Sequence, residues 1–306
     1  MWGSAGFLIG IVLGSLVKAL ADRSLSNKSF WGRSYCLRCR HTLAVYDLFP
    51  ILSYVLLRGK CRYCKNRISI EYLIVEAVVG VLIGFLFWQE FSSLQSSVFS
   101  LQLISNFKFL IFIFDLLFKT FFIVILAILF ITDIKRMLIP DRIIKPAILI
   151  GTISLLVITA YKVGYLYYYL AQTPIGRQLL PPSSGYFQRH ALMVVQPFLL
   201  SLLMGLLIGG FFWGLIIITR GKGMGGGDVK LGAFIGIMLG FPQALIALVL
   251  AFFTGAIFGV ALIIAGKKHF GQTIPFGPFL VLGSLITLFW GNQIIDWYLK
   301  LGTFIP

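Results

Sequence analysis

The sequence predicts an all-α, polytopic membrane protein carrying one polar, four-cysteine loop, and three observations predict it. The 306 residues are 59% hydrophobic and only 12% charged, about half the charged fraction of an ordinary soluble domain. Apolar runs of roughly 18 residues or more recur along the chain, the length at which a helix crosses hydrocarbon. All four cysteines fall in one polar stretch, as two Cys-x-x-Cys pairs.

The first run, Trp2 to Leu20, has no basic region before it and no small-residue cleavage site after it, so it reads as a retained first span. About eight transmembrane helices are expected, at 2–20, 71–89, 109–131, 147–169, 194–219, 228–241, 243–265 and 276–298. With the N-terminus outside, the inward loops are 21–70, 132–146, 220–230 and 266–275, and they hold 19 of the 26 lysines and arginines. The positive-inside rule then fixes the orientation. It also accounts for the net charge of +16, and no nucleic-acid-binding fold is visible to compete for that charge.

The sixth span is short by necessity. From Val229 to Ala265 the chain is too long for one crossing at about 1.5 Å per residue, and "GFPQ" at 240–243 supplies the break. The short helix before it must be buried by its neighbours. Residues 89–108 read as an amphipathic segment along the outer interface. Residues 170–192 read as an outward loop with a Pro-Pro-Ser-Ser-Gly turn, preceded by a tyrosine belt at Tyr161, Tyr165 and Tyr167–Tyr169. No internal repeat stands out.

"CLRC" at 36–39 and "CRYC" at 61–64 are separated by 21 residues. Each pair sets two thiolates on one turn, and two such turns close a tetrahedral four-sulfur site at Cys36, Cys39, Cys61 and Cys64. Four thiolates with no open position suit a structural zinc. A disulfide pair or a redox motif is the alternative, disfavoured on the cytoplasmic side. Such a zinc knuckle does no chemistry of its own; it folds a loop that lacks sufficient core.

Only ten acidic residues exist. Asp22 and Asp47, in the polar loop, read as solvated; Glu76, inside the second span, is placed to pair with a basic residue of the loop. Glu90 and Asp296 lie near outer ends, and Asp115 and Lys119 are spaced for a mutual ion pair. Asp133 and Asp228 differ. Asp133 closes the third span in "LFITDIKRMLIPD", and Asp228 ends the glycine-rich "GKGMGGGDVK" and opens the sixth. The expected topology brings both to the cytoplasmic end, where ionisable groups are functional candidates. Paired carboxylates do not both ionise cheaply, so one takes a proton from water while the other donates to a peptide carbonyl. Gly225, Gly226 and Gly227 leave space for a substrate backbone beside Asp228. A helix cap at Asp228, or a plain hinge, is the bland alternative. Asp141, in "IPDR", is a second candidate for the first position, ranked below Asp133.

Together these stretches resemble the bacterial type IV prepilin peptidases, the prepilin leader peptidases/N-methyltransferases of the Gly-x-Gly-Asp aspartic membrane proteases. "GIVLGSLVKALADR" at 10–23 resembles the opening helix of that family, with Leu16, Val17 and Lys18 in place of the usual Phe-Leu-Asn. "YCLRC", "DLFPILSYVLLRGKCRYC" and "ISIEYLIVE" resemble its zinc loop. "TDIKRMLIPD" and "GMGGGDVKLGAFIG" place the two catalytic aspartates on Asp133 and Asp228, and "IPFGPFL" at 274–280 is similar to the stretch opening the last span.

The resemblance implies cleavage of prepilins and pseudopilins after a leader glycine at the cytoplasmic face of the bacterial inner membrane. It also implies N-methylation of the new terminus with S-adenosylmethionine, and Gly59 and Lys60 of "RGKC" match positions associated with that activity. The implied division is a first helix at 1–20, a zinc-knuckle loop linked to methyl transfer at 21–70, and a transmembrane peptidase domain at 71–306. A peptidase without the methyltransferase, or a transporter or scaffold using the two aspartates for ions, are the other readings. The implied partners are prepilin substrates and the bilayer, not nucleic acid; the oligomeric state is unspecified.

Overall fold

The computed structural model describes residues 2–26, 28–30, 32–36, 38–98, 106–181, 184–221, 225–266 and 275–302. Among them the chain forms helices throughout: α1 (Trp2–Leu25), a 3-10 turn (Val45–Leu48), α2 (Leu52–Leu56), α3 (Glu71–Val98), α4 (Asn106–Arg136), α5 (Asp141–Ala171), α6 (Pro174–Gln178), α7 (Tyr186–Ile218), α8 (Gly226–Leu239), α9 (Gln243–Ile264) and α10 (Gly277–Gly302). No strand occurs among the described residues, only two isolated antiparallel bridges, Tyr35 with Thr42 and Lys60 with Arg67. Seven of the helices are long and apolar enough to cross a membrane, and the chain is a multi-pass membrane protein.

The predicted sixth span is α8. Its 14 residues reach about 21 Å at ~1.5 Å per residue, short of the ~30 Å of hydrocarbon. Neighbours make up the difference: Leu231, Phe234 and Ile235 are almost wholly buried. The break falls where glycine and proline placed it, with α8 ending at Leu239 and α9 starting at Gln243. Gly240 between them adopts φ 66°, and an added Cβ would lie 2.6 Å from Ser201 Oγ.

The expected interfacial segment 89–108 is divided instead. Its first part continues α3 to Val98, its last residues open α4, and residues 99–105 lie outside the described residues. In the outward loop at 170–192, Thr173 caps the short α6 by accepting from the Gly176 amide, while residues 182–183 of its turn lie outside the described residues.

The chain forms two compact units, residues 1–104 with 119–140, and residues 105–118 with 141–306. In the first, α1 and α3 lie backbone against backbone. A Cβ on Gly10 would stand 2.7 Å from the Gly80 Cα, so the small residues on each helix set the distance between them. Gly10→Leu puts a side chain where only backbone can yield. It is expected to cost about 1–3 kcal/mol, measured by thermal unfolding in detergent; an unchanged midpoint would contradict this packing. In the second unit α7 and α8 approach as closely, a Cβ on Gly236 meeting the Gly205 backbone at 2.7 Å. Phe212, Phe252 and Phe276 pack together there, with ring centroids 5.0 Å apart for the last two.

Candidate functional site

The two cysteine turns fold alike. Arg40 donates its amide to the Cys36 carbonyl and Lys65 to that of Cys61, each at 2.9 Å, and the amides of Cys36 and Cys61 return to the carbonyls of His41 and Asn66. Arg40 and Lys65 both take left-handed backbone, φ 57° and 56°, which turns each chain sharply after its second cysteine. The loop therefore repeats one structural unit that apolar patterning does not reveal.

The ligand atoms of Cys36, Cys39, Cys61 and Cys64 all lie within 4.8 Å of one another, with Cys36 Sγ 3.8 Å from Cys64 Sγ. A tetrahedron of sulfurs bonded at ~2.3 Å to one metal has edges of about 3.8 Å, so the four thiols fit such an ion. Burial pushes the Cys36 thiol up, but bonds from the Cys39 and Arg38 amides and from neighbouring thiols outweigh it and lower it to about 7. The His41 amide pulls the Cys39 thiol down, and desolvation with the Cys36 and Cys64 sulfurs prevails, raising it to about 11. The Cys36 thiolate thus forms readily, whereas the Cys39 thiol needs a cation to deprotonate.

Asp47, expected to be solvated, is instead enclosed. Its side chain is 3% exposed and takes Arg62 Nε at 2.7 Å, the Tyr63 hydroxyl at 3.2 Å and the Ala44 amide at 3.3 Å. Arg62 also lies over the Tyr46 ring, which ties the 3-10 turn to the second cysteine turn. Gly59 precedes that turn with φ 67°, and an added Cβ would meet the Tyr54 hydroxyl at 3.0 Å, so glycine there has a backbone and packing cause. Lys60 pairs through its backbone with Arg67.

Asp133 lies in the last turn of α4 and is 6% exposed. Met137, at φ 50°, donates its amide to the Asp133 carbonyl at 2.8 Å, which closes the helix just after the carboxylate. Two residues on, Lys135 reaches Glu71 at 2.7 Å and Asp22 at 3.2 Å, and Arg136 donates to the Leu25 carbonyl. Lys18, 2% exposed, joins the same carboxylates, Asp22 at 2.7 Å and Glu71 at 3.1 Å, below the Tyr72 ring. Two lysines and two carboxylates thus pin the end of α4 to α1 and α3. An open cavity of about 370 Å³ lined by Asp22, Leu25, Ser26, Lys135 and Arg136 lies at this end.

Asp22 is not solvated in a loop after a first span ending at residue 20 but stands on α1, paired with Lys18 and Lys135. α1 runs to Leu25, and the i,i+4 spacing of Lys18 and Asp22 was the sequence signal for their pair. Glu76, expected to pair with a basic side chain, accepts the Ile51 amide of the loop at 2.8 Å instead. Lys119 reaches Glu90 on α3 at 2.7 Å. Because Lys18 is the buried charge, Lys18→Met removes the burden along with the partner and is expected to cost under about 1 kcal/mol. The double change Asp22→Asn, Glu71→Gln strands that ammonium and should cost about 3–5 kcal/mol. Thermal unfolding of the two variants checks this order, and equal losses would contradict it.

Asp228 sits half-buried in the first turn of α8, its amide donating to the Gly225 carbonyl at 3.2 Å. Gly225 caps the helix in an ordinary extended conformation, so its backbone does not demand glycine. Nor does crowding: a Cβ on Gly225 or Gly226 would meet nothing within 4 Å, so the space beside them is open, and Gly227 lies between them and Asp228 in α8. Asp133 belongs to the first unit and Asp228 to the second, and each is placed by the packing of its own unit.

Residues 8–90 match the bacterial peptidase A24 N-terminal domain, and residues 184–260 match the type IV leader peptidase family. A prepilin leader peptidase/N-methyltransferase of Aeromonas salmonicida is 31% identical over 88% of this chain and 75% of its own length. Proteins of the same name from Bacillus subtilis and Pseudomonas aeruginosa are 29% and 26% identical, over 96% and 89% of this chain and 97% and 76% of theirs. No solved structure matches the chain.

Proposed function

The chain belongs to the type IV leader peptidase family, and on that premise we propose that it removes the leader of type IV prepilins and pseudopilins and N-methylates the residue so exposed. The catalytic pair is Asp133 and Asp228. One carboxylate takes a proton from water as the water oxygen adds to the scissile carbonyl, and the other donates a proton to the carbonyl oxygen. Collapse of the adduct breaks the C–N bond, and a proton from the pair leaves on the new α-amine.

The observation that carries this reading is the mount of Asp228, in the first turn of a buried helix behind glycines with open space around them. The amides of a helix N-terminus favour an anionic side chain, which supports Asp228 as the base towards water. Buried Asp133, at the opposite kind of helix end, then serves as the acid. An extended leader backbone approaches along Gly225 to Gly227.

Zinc held by Cys36, Cys39, Cys61 and Cys64 folds the 21–70 loop, to which methyl transfer is linked. S-adenosylmethionine supplies the methyl group when bound. Gly59 and Lys60 carry that assignment by resemblance alone. The distribution of Lys and Arg supports a site at the cytoplasmic face of the bacterial inner membrane. The test is incubation of the purified chain with a prepilin and S-adenosylmethionine. Leader loss with a methylated terminus is expected. Leader loss without methyl would leave a peptidase alone, and an intact prepilin would favour a transporter or scaffold.

A further inference from the structure

Asp141 opens α5 and does not behave as an acid in reserve. Its Oδ1 takes the ammonium of Lys230 and its Oδ2 that of Lys145 at 3.0 Å. Both oxygens are engaged by cations, which leaves neither placed to donate a proton. Lys230 stands two residues after Asp228 on α8, so the contact joins the start of α5 to the segment that bears Asp228.

The same two helices meet tightly further along, where a Cβ on Gly151 of α5 would lie 2.7 Å from the Met238 sulfur of α8. Ile144 and Ala147 of α5 are likewise buried. Packing against α7 and α5 fixes the body of α8, and the Asp141–Lys230 contact adds a hold at its first turn, the end that bears Asp228.

Resting on the reading of Asp228 as catalytic, we propose that Asp141 is a positioning residue of the peptidase: it holds Lys230 and, through it, the rotation of the first turn of α8. The ion pair is largely exposed, with side chains 46% and 39% accessible, so its contribution to stability is small. Its effect belongs on turnover, because small misplacements of a reacting group are costly.

The test is leader cleavage by the purified full-length chain in detergent, with kcat, KM and thermal midpoint for each variant. Asp141→Asn and Lys230→Met are each expected to lower kcat by roughly 10-fold with KM and midpoint nearly unchanged. The double variant should be no slower than either single, as for two residues acting through one contact, and Lys230→Arg should restore most of the rate. Asp141→Asn as inert as Asp228→Asn, with Lys230→Met normal, would overturn the proposal and make Asp141 part of the chemistry. Wild-type kcat in both single variants, or losses that multiply in the double, would also overturn it. Normal cleavage by Asp228→Asn would remove the underlying reading, whatever the other variants do.

Discussion

Asp133→Asn and Asp228→Asn are each expected to reduce leader cleavage by about 10³-fold or more, while the protein accumulates normally and still binds prepilin. Asparagine keeps the size and the hydrogen-bonding capacity of the side chain but neither accepts nor releases a proton at the step that needs it, and positioned acid–base groups supply rate factors of about 10²–10⁴. The loss falls on kcat, because neither carboxylate is assigned to holding the substrate. The two changes together should be little worse than either alone, since each half of an acid–base pair is idle without the other. Initial-rate measurements on the three variants check both the size and the non-additivity. A single variant with near-normal turnover would remove that residue from the mechanism.

Cys61→Ser is expected to release the metal and unfold the 21–70 loop. Cys61 is the most enclosed of the four, at 3% exposure, so a replacement there has no room to recruit water in place of sulfur. The loop has little apolar core of its own: Tyr46, Phe49, Leu52, Val55 and Leu56 are exposed. Structural zinc provides about 10–16 kcal/mol in small zinc-binding peptides, far more than the Asp47 contacts can replace. Elemental analysis should give about one zinc per chain for the parent protein and almost none for the variant. Limited proteolysis should then cut within 21–70, and methylation should be lost. A variant with full zinc content and a protected loop would contradict the four-sulfur site.

Much of this was legible because the signals are local. Hydropathy located the seven long helices, and Gly240 with Pro242 marked the end of the short one. The two Cys-x-x-Cys pairs located a cluster whose sulfurs do converge. What escaped depends on contacts between distant segments or on backbone conformation. Lys18 looked like a departure from the family pattern, and its accommodation needs Glu71 and shares carboxylates with Lys135, which no short window contains. Asp47 looked exposed because Arg62 and Tyr63 arrive only when the loop closes. The left-handed turns at Arg40 and Lys65 carry no glycine to announce them. Asp141 ranked behind Asp133 on position alone, and only its two lysine partners separate positioning from chemistry.

The most direct test of the central claim is intact mass spectrometry of a prepilin co-expressed with this chain or with its Asp228→Asn variant. Catalysis by Asp228 requires that the parent chain yield a pilin lacking its leader and carrying one added methyl group, while the variant leaves the prepilin at full length. A full-length prepilin beside the parent chain, or a trimmed one beside the variant, would contradict it.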